Sequence, residues 1–246
     1  MNKAPMPLDQ NGKLDLAQVK NGVMLLTFDD SSYETWLPQL DLFDFYNARA
    51  TFFYSKEITE GVADSMKTLM ARGHSVGLHT IAHKNAVDIT PEAYFAEFIR
   101  PQIEQAARYG VENIPFFAYP NNIHTPEFDE ALSAYFTRYR AGIGVKAPKG
   151  YWIADYDEAY LALDKIPAQK AMGGNGIGPY YDSTQENLDA ALERAAKENK
   201  LITFFSHAIL PEAKNVHMSC EMLEKMLAKA AELGMAVVGF NELPEA

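Results

Sequence analysis

Thr27-Phe28-Asp29-Asp30 sets two carboxylates side by side directly after an apolar run, and His79-Thr80-Ile81-Ala82-His83 sets two imidazoles four residues apart. Neighbouring residues at a strand end face opposite sides, so two adjacent carboxylates can divide their labour, one binding a cation and the other taking a proton. Two histidines at i and i+4 share one face of a helical turn and reach a common ion. Neutral imidazole suits zinc and related transition metals. Two imidazoles with one carboxylate form a ligand set that leaves positions open for water and substrate. His207 follows the apolar run Leu201 to Phe205 and Ser206, and on the same rim as a metal it would act as a proton donor. These types and spacings can hold a divalent ion beside a proton-accepting carboxylate, while the Asp29-Asp30 pair taken alone reads equally as an Asp-rich turn or helix start before Ser31 and Ser32.

Such a rim needs parallel strands that end together. Val23 to Phe28 is apolar on successive residues, the mark of a strand buried on both faces. Trp36, Leu37, Leu40 and Phe43 recur at helix spacing, which admits Pro38 only in a first turn. Ala50 to Tyr54 reads as a second strand, followed by a helix carrying Val62, Met66, Leu69 and Met70 that stops at Gly73. Ser75 to Leu78 leads straight into His79, and Thr90-Pro91-Glu92 is a helix start with Thr90 as cap. Pro101 should kink or divide that helix. Further strands are expected at Phe116 to Tyr119, Arg138 to Gly142, Leu201 to Phe205 and Ala236 to Phe240. Ser183 with Glu186 reads as a capping box before Leu188 and Leu192, and Ser219 as the cap of a helix with Leu223, Met226 and Leu227. Gly173 to Pro179 reads as a loop.

About seven strand–helix units in one chain predict an α/β fold in which about seven parallel strands with outer helices form a closed, or nearly closed, barrel. Chemistry then gathers at the strands' C-terminal ends. Asp29 and Asp30, His79, Tyr119 to Asn122 and His207 each follow an apolar run directly, as this requires. Residues 1-22 read as an N-terminal extension and 23-246 as a single catalytic domain.

The 246 residues carry 33 acidic and 22 basic side chains, a net charge of -11, which disfavours nucleic acid and anionic membrane surfaces as partners. No run of about 20 apolar residues is present, so no membrane span is expected. The first 20 residues lack the apolar region of a signal peptide, which is consistent with a cytoplasmic protein or with a mature form. Cys220, the single cysteine, has no internal disulfide partner, and His74, His124 and His217 read as structural.

The ordered set of motifs resembles the polysaccharide deacetylase family, or NodB homology domain, from about Val23 to Phe240. It rests on Thr27-Phe28-Asp29-Asp30, Ala50-Thr51-Phe52-Phe53, Gly73-His74, His79-Thr80-Ile81-Ala82-His83 and His207 after an apolar strand. The resemblance implies a distorted (β/α) barrel with Asp29 as general base, Asp30, His79 and His83 as metal ligands, and His207 as general acid. It also implies one divalent metal ion, zinc before cobalt, nickel or manganese, an acetylated carbohydrate partner, and an extracytoplasmic location if a signal peptide has been removed. Many members carry Arg-Pro-Pro-Tyr after the fourth strand, where this chain reads Ala118-Tyr119-Pro120-Asn121. It thereby resembles a branch with Phe-Ala-Tyr-Pro, and the arginine expected to orient the base has no counterpart at that position. For the family's Asp-Trp motif only Asp155 and Asp157, near Trp152, come forward.

On this reading the enzyme removes N-acetyl groups from an acetylated amino-sugar polymer or oligosaccharide. A backbone N–H near Asn121 would hold the oxyanion, with Tyr119, Pro120, Asn121 and Phe205 contacting substrate. Tyr119, Trp152, Tyr180 and Tyr181 offer faces for a sugar ring. The alternatives are an esterase or amidase acting on another acylated substrate, or a catalytically silent carbohydrate-binding relative.

Overall fold

The computed structural model describes residues 3–145 and 147–245. Its elements, in chain order, are β1 (Val23–Phe28), α1 (Tyr33–Trp36), α2 (Leu40–Phe45), β2 (Thr51–Tyr54), α3 (Glu60–Ala71), β3 (Ser75–Leu78), α4 (Pro91–Tyr94), α5 (Arg100–Arg108), β4 (Phe116–Ala118), α6 (Pro126–Leu132) and β5 (Arg138–Gly142). There follow β6 (Tyr160–Ala162), β7 (Ala171–Gly176), α7 (Gln185–Glu198), β8 (Lys200–Ser206), β9 (Ile209–Leu210), β10 (Met218–Ser219), α8 (Cys220–Leu233) and β11 (Ala236–Val238).

Seven parallel strands close a ring in the order β1-β2-β3-β4-β5-β7-β8, with β8 returning to β1 along the whole length of that strand. The expected barrel is therefore observed. Its distortion has a local cause. The lower half of β1, Val23 to Leu25, pairs with β11, and only Thr27 and Phe28 pair with β2. Likewise the lower part of β8 pairs with the antiparallel β6, while Phe204 and Phe205 pair with β7. Two extra strands thus wedge open the floor, and the C-terminal rim alone is a closed ring.

Alternation along β1 sorts its residues: Met24, Leu26 and Phe28 pack outward under α1, α2, α3, α7 and α8, while Val23 and Leu25 join Phe53, Phe116, Met172 and Phe240 in the lower barrel. A third cluster, including Tyr94, Phe117, Phe128 and Tyr139, lies beneath α4 and α6. Leu14 and Val19 also pack into the floor cluster.

The sequence predictions for local structure need four amendments. Ala236–Val238 is a floor strand outside the ring, and its place in the ring is taken by Ala171–Gly176. The glycine run from Gly173, expected as a loop, is thus a strand paired with β5 and β8, and its glycines leave room for backbone of the Gly142–Ile143 segment at Gly173 and for side chains at Gly174 and Gly176. Pro38 lies not in a first helical turn but in a 3-10 turn, Leu37–Gln39, that splits α1 from α2. Thr184 rather than Ser183 caps α7, accepting from the Asn187 N–H, since Ser183 is engaged by the Gly178 N–H.

Thr90 and Ser219 cap α4 and α8 as expected. Pro101 leaves its mark as a π-helical segment, Phe95–Ile99, just ahead of it. The Phe98 carbonyl in that segment accepts from the Ile81 N–H at 2.9 Å, which ties the segment to the loop between the two histidines.

Candidate metal and catalytic site

Asp29 and Asp30 leave β1 at the rim, with the Asp29 N–H donating to the Ser206 carbonyl of β8 at 2.9 Å. The chain then turns through left-handed backbone at Asp30 (φ 73°) and Ser31 (φ 57°), the latter fixed by its hydroxyl donating to the Ser55 carbonyl at 2.6 Å. A second left-handed pair, Thr80 (φ 64°) and His83 (φ 49°), shapes the loop after β3. A β-branched residue in that region is strained, and here the strain is held by the Thr80 hydroxyl accepting from the Lys84 N–H at 2.8 Å. Both ligand-bearing turns are forced into shapes that a plain strand-to-helix connection would not take.

The outcome is a triad. His79 Nε2 and His83 Nε2 each lie 3.6 Å from Asp30 Oδ1, and one ligand atom from each of the three residues falls within 4.8 Å of the others. Those separations exceed ordinary hydrogen bonds and match donors arranged around one ion at about 2.0–2.2 Å. His79 Nδ1 bonds the Ala118 carbonyl at 2.8 Å, which turns Nε2 toward the site. Burial, reinforced by the Arg140 guanidinium, pushes the His79 imidazole down to about 3, so it stays neutral and available as a donor. These residues fit a divalent cation.

His207 Nε2 stands 3.7 Å from Asp30 Oδ2, and Asp29 Oδ2 stands 4.0 Å from His79 Nε2. The His207 ring is set by three contacts. Its Nδ1 bonds the Val216 carbonyl at 3.0 Å, brought there by the β9–β10 excursion. Its own carbonyl accepts from Trp36 Nε1 at 2.7 Å. His217 packs edge-on at 6.0 Å between ring centroids. Among the described residues, neither Asp155 nor Asp157 pairs with it. Asp157 pairs instead with Arg194 on the surface, and Asp155 does not line the cavity.

A cavity of about 290 Å³ joins these groups, lined by Asp29, Asp30, His79, His83, Asn121, Asn122, Arg140, Tyr180, Tyr181, Phe205, His207 and Val216. Asn121 and Phe205 are thus placed where substrate contact was expected. Tyr119 and Pro120 are not. Tyr119 is wholly buried, its ring against Phe117, Tyr139 and His124, and its hydroxyl is pushed far up by burial and by Asp129. Its side chain faces the outer helices because β4 alternates and Ala118, not Tyr119, takes the inner position. Of the proposed stacking aromatics, Tyr180 and Tyr181 line the cavity and Trp152 does not. His74 is buried against Phe43 and Phe52, and His124 pairs with Asp129 at 3.0 Å, both as structural groups.

The residue that sequence reasoning missed is Arg140. It projects from within β5 into the barrel, 1% exposed, with Nη2 on Asp29 Oδ2 and Nη1 on Asn122 Oδ1. A guanidinium therefore meets Asp29 although the position after β4 holds no arginine. A signal existed in Arg138-Tyr139-Arg140-Ala141, where charges alternate with apolar residues in a strand buried on both faces, so that each arginine requires an internal partner. Arg138 finds peptide carbonyls of Ile166, Gln169 and Pro244 at the floor; Arg140 finds a carboxylate at the rim.

The family model described as polysaccharide deacetylase matches residues 17–139, half of the chain. This protein belongs to the polysaccharide deacetylase family. A chitin deacetylase of Arthroderma benhamiae is 32% identical over 111 residues, covering 42% of this chain and 30% of that protein. The match thus spans under a third of the relative's length. Among solved structures, the chitin deacetylase of the fungal pathogen Colletotrichum lindemuthianum superposes with a TM-score of 0.63 at 19% identity, covering 92% of this chain and 89% of that one. A CE4 family pseudoenzyme of Bacillus anthracis superposes with a TM-score of 0.61 at 13% identity, covering 92% and 66%. At these identities the superpositions establish the barrel, and what the site does must be argued from its own atoms.

Proposed function

We propose that the chain is a metal-dependent hydrolase that removes N-acetyl groups from an acetylated amino-sugar polymer or oligosaccharide. The observation that carries this reading is a carboxylate oxygen without a hydrogen-bond partner and an imidazole nitrogen that share one cavity with the ligand triad. Asp29 Oδ1 is buried and has no hydrogen-bond partner in the protein, while Oδ2 is occupied by Arg140. His207 presents Nε2 to the same space with Nδ1 already committed. A site built only to bind sugar needs neither feature.

Asp30, His79 and His83 would hold a divalent ion, which when bound would supply Lewis acidity toward a water and the acetamide carbonyl. We assign zinc on the two-imidazole, one-carboxylate set. Asp29 Oδ1 accepts the proton of the attacking water. A backbone N–H near Asn121 steadies the oxygen as charge develops on it. His207, protonated at both nitrogens, keeps one N–H on the Val216 carbonyl and gives the other to the departing amine, which would otherwise leave as an anion. Phe205 and Tyr181 wall the space around the acetyl methyl.

Acetate release from chitooligosaccharides, acetylated glucosamine polymers and acetylxylan tests the reading. Release from the amino sugars with none from xylan is expected. Release from acetylxylan alone would replace it with an esterase, and none from any of them would leave the sugar-binding alternative.

A further inference from the structure

No arginine stands in the Ala118-Tyr119-Pro120-Asn121 segment after β4, yet a guanidinium meets Asp29 from a different strand. We infer that Arg140 is the positioning residue that selects Asp29 Oδ1 as the proton acceptor, and that Asn122, Phe205 and Gly174 form the seat that holds it. This inference rests on the deacetylase reading above and adds how that site is oriented.

Each contact narrows the freedom of the guanidinium. Nη2 takes Asp29 Oδ2, leaving Oδ1 as the bare oxygen. Nη1 takes the Asn122 side-chain oxygen, and Asn122 reaches it because Asn121 and Asn122 both adopt left-handed backbone, at φ 54° and 58°. The plane of the group rides on Phe205, with the ζ carbon 4.6 Å from the ring centroid. A Cβ on Gly174 would stand 3.0 Å from both Arg140 Cδ and Phe205 Cδ1, so β7 carries glycine where this stack needs room. Fork geometry lets one arginine hold carboxylate and amide at once, whereas a lysine ammonium would hold Asp29 as a point charge without fixing its rotation. Arg138, two residues earlier on the same strand and equally buried, is hydrogen-bonded among the described residues to peptide carbonyls, which makes it the internal comparison for a structural arginine.

The test compares wild type with Arg140→Ala, Arg140→Lys, Asn122→Ala and Gly174→Ala, measuring kcat and KM for acetate release, bound zinc per chain and thermal midpoint. Arg140→Ala should lower kcat about 10²-fold or more with KM changed by less than about threefold and zinc retained, since misplacement of a catalytic group acts on the chemical step. Guanidinium at non-denaturing concentration should restore at least about tenfold of that loss in Arg140→Ala and none in Asp29→Asn, a rescue that a structural role would not show. Arg140→Lys, Asn122→Ala and Gly174→Ala should each fall between wild type and Arg140→Ala. Unchanged kcat in zinc-loaded Arg140→Ala overturns the inference, as does a loss that guanidinium does not relieve. If Arg140→Ala fails to fold, unchanged kcat in both Arg140→Lys and Asn122→Ala overturns it. A wild-type chain that releases no acetate from any acetylated sugar removes the deacetylase reading itself; an active wild type with active Arg140 variants removes only this one.

Discussion

Asp29 and Asp30 are neighbours in sequence with opposite surroundings: one is 2% exposed and bound to a guanidinium, the other half-buried among three imidazoles. In the proposed function, that difference lets adjacent carboxylates serve as base and ligand. Asp29→Asn should therefore reduce acetate release by about 10²–10⁴-fold while metal content, read by elemental analysis, stays at the wild-type value. His79→Ala should lose both. His207→Gln carries a more discriminating expectation. Its rate on an N-acetyl sugar should fall about 10²–10⁴-fold, whereas on an aryl acetate, whose leaving group departs without a proton, the loss should be at least tenfold smaller. Equal losses on the two substrates would remove His207 from the acid role. The pair of imidazoles at i and i+4 was legible because ligand chemistry is carried by residue type and local spacing. Arg140 was not, because its partner lies 111 residues away and nothing local to β5 names it.

The elements place these groups through small irregularities more than through regular strands. The π-helical segment before Pro101 lends the Phe98 carbonyl to Ile81, inside the histidine loop. Pro101→Ala returns an N–H donor to this helix and favours regular pairing, which would withdraw that carbonyl. We expect its metal dissociation constant, measured by calorimetry, to rise several-fold with no fall in thermal midpoint; unchanged affinity would mean the loop is held without it. β7 makes the same point from the other side. A Cβ on Gly176 would stand 2.5 Å from the Tyr181 ring, so Gly176→Ala should displace Tyr181 from the cavity wall and raise KM more than it lowers kcat. Glycine at both places reads locally as a loop, since the reason for it is a side chain arriving from elsewhere. Thr90 and Ser219, by contrast, were readable as caps because their partners lie three residues away.

For the molecule as a whole, the barrel closes through hydrophobic alternation on its strands, and its one buried histidine outside the site links stability to pH. His74 is fully buried, its Nδ1 accepting from the Ala50 N–H at 3.1 Å, and desolvation pushes it down to about 3. The ordinary value is 6.5, so between about 6.5 and 3 the unfolded chain binds a proton that the folded chain refuses. Stability should then be complete above that window and fall as pH drops through it, by at most about 1.4 kcal/mol per pH unit from this group. Denaturant titrations from pH 7 to 4 should show the slope, and His74→Asn, which keeps an acceptor for Ala50, should flatten it. The positions of β1 to β5 and β8, and the placing of Asp29, Asp30, His79, His83 and His207 at strand ends, were set down in the linear order of apolar runs and polar ends, because each depends on periodicity or on residues a turn apart. The tertiary structure alone decided that β7 completes the ring in place of β11, that Tyr119 turns away from the cavity, and that Arg140 of β5 meets Asp29. Those three outcomes depend on which side chains meet across the barrel, and contact between distant strands leaves no mark in the spacing of either one.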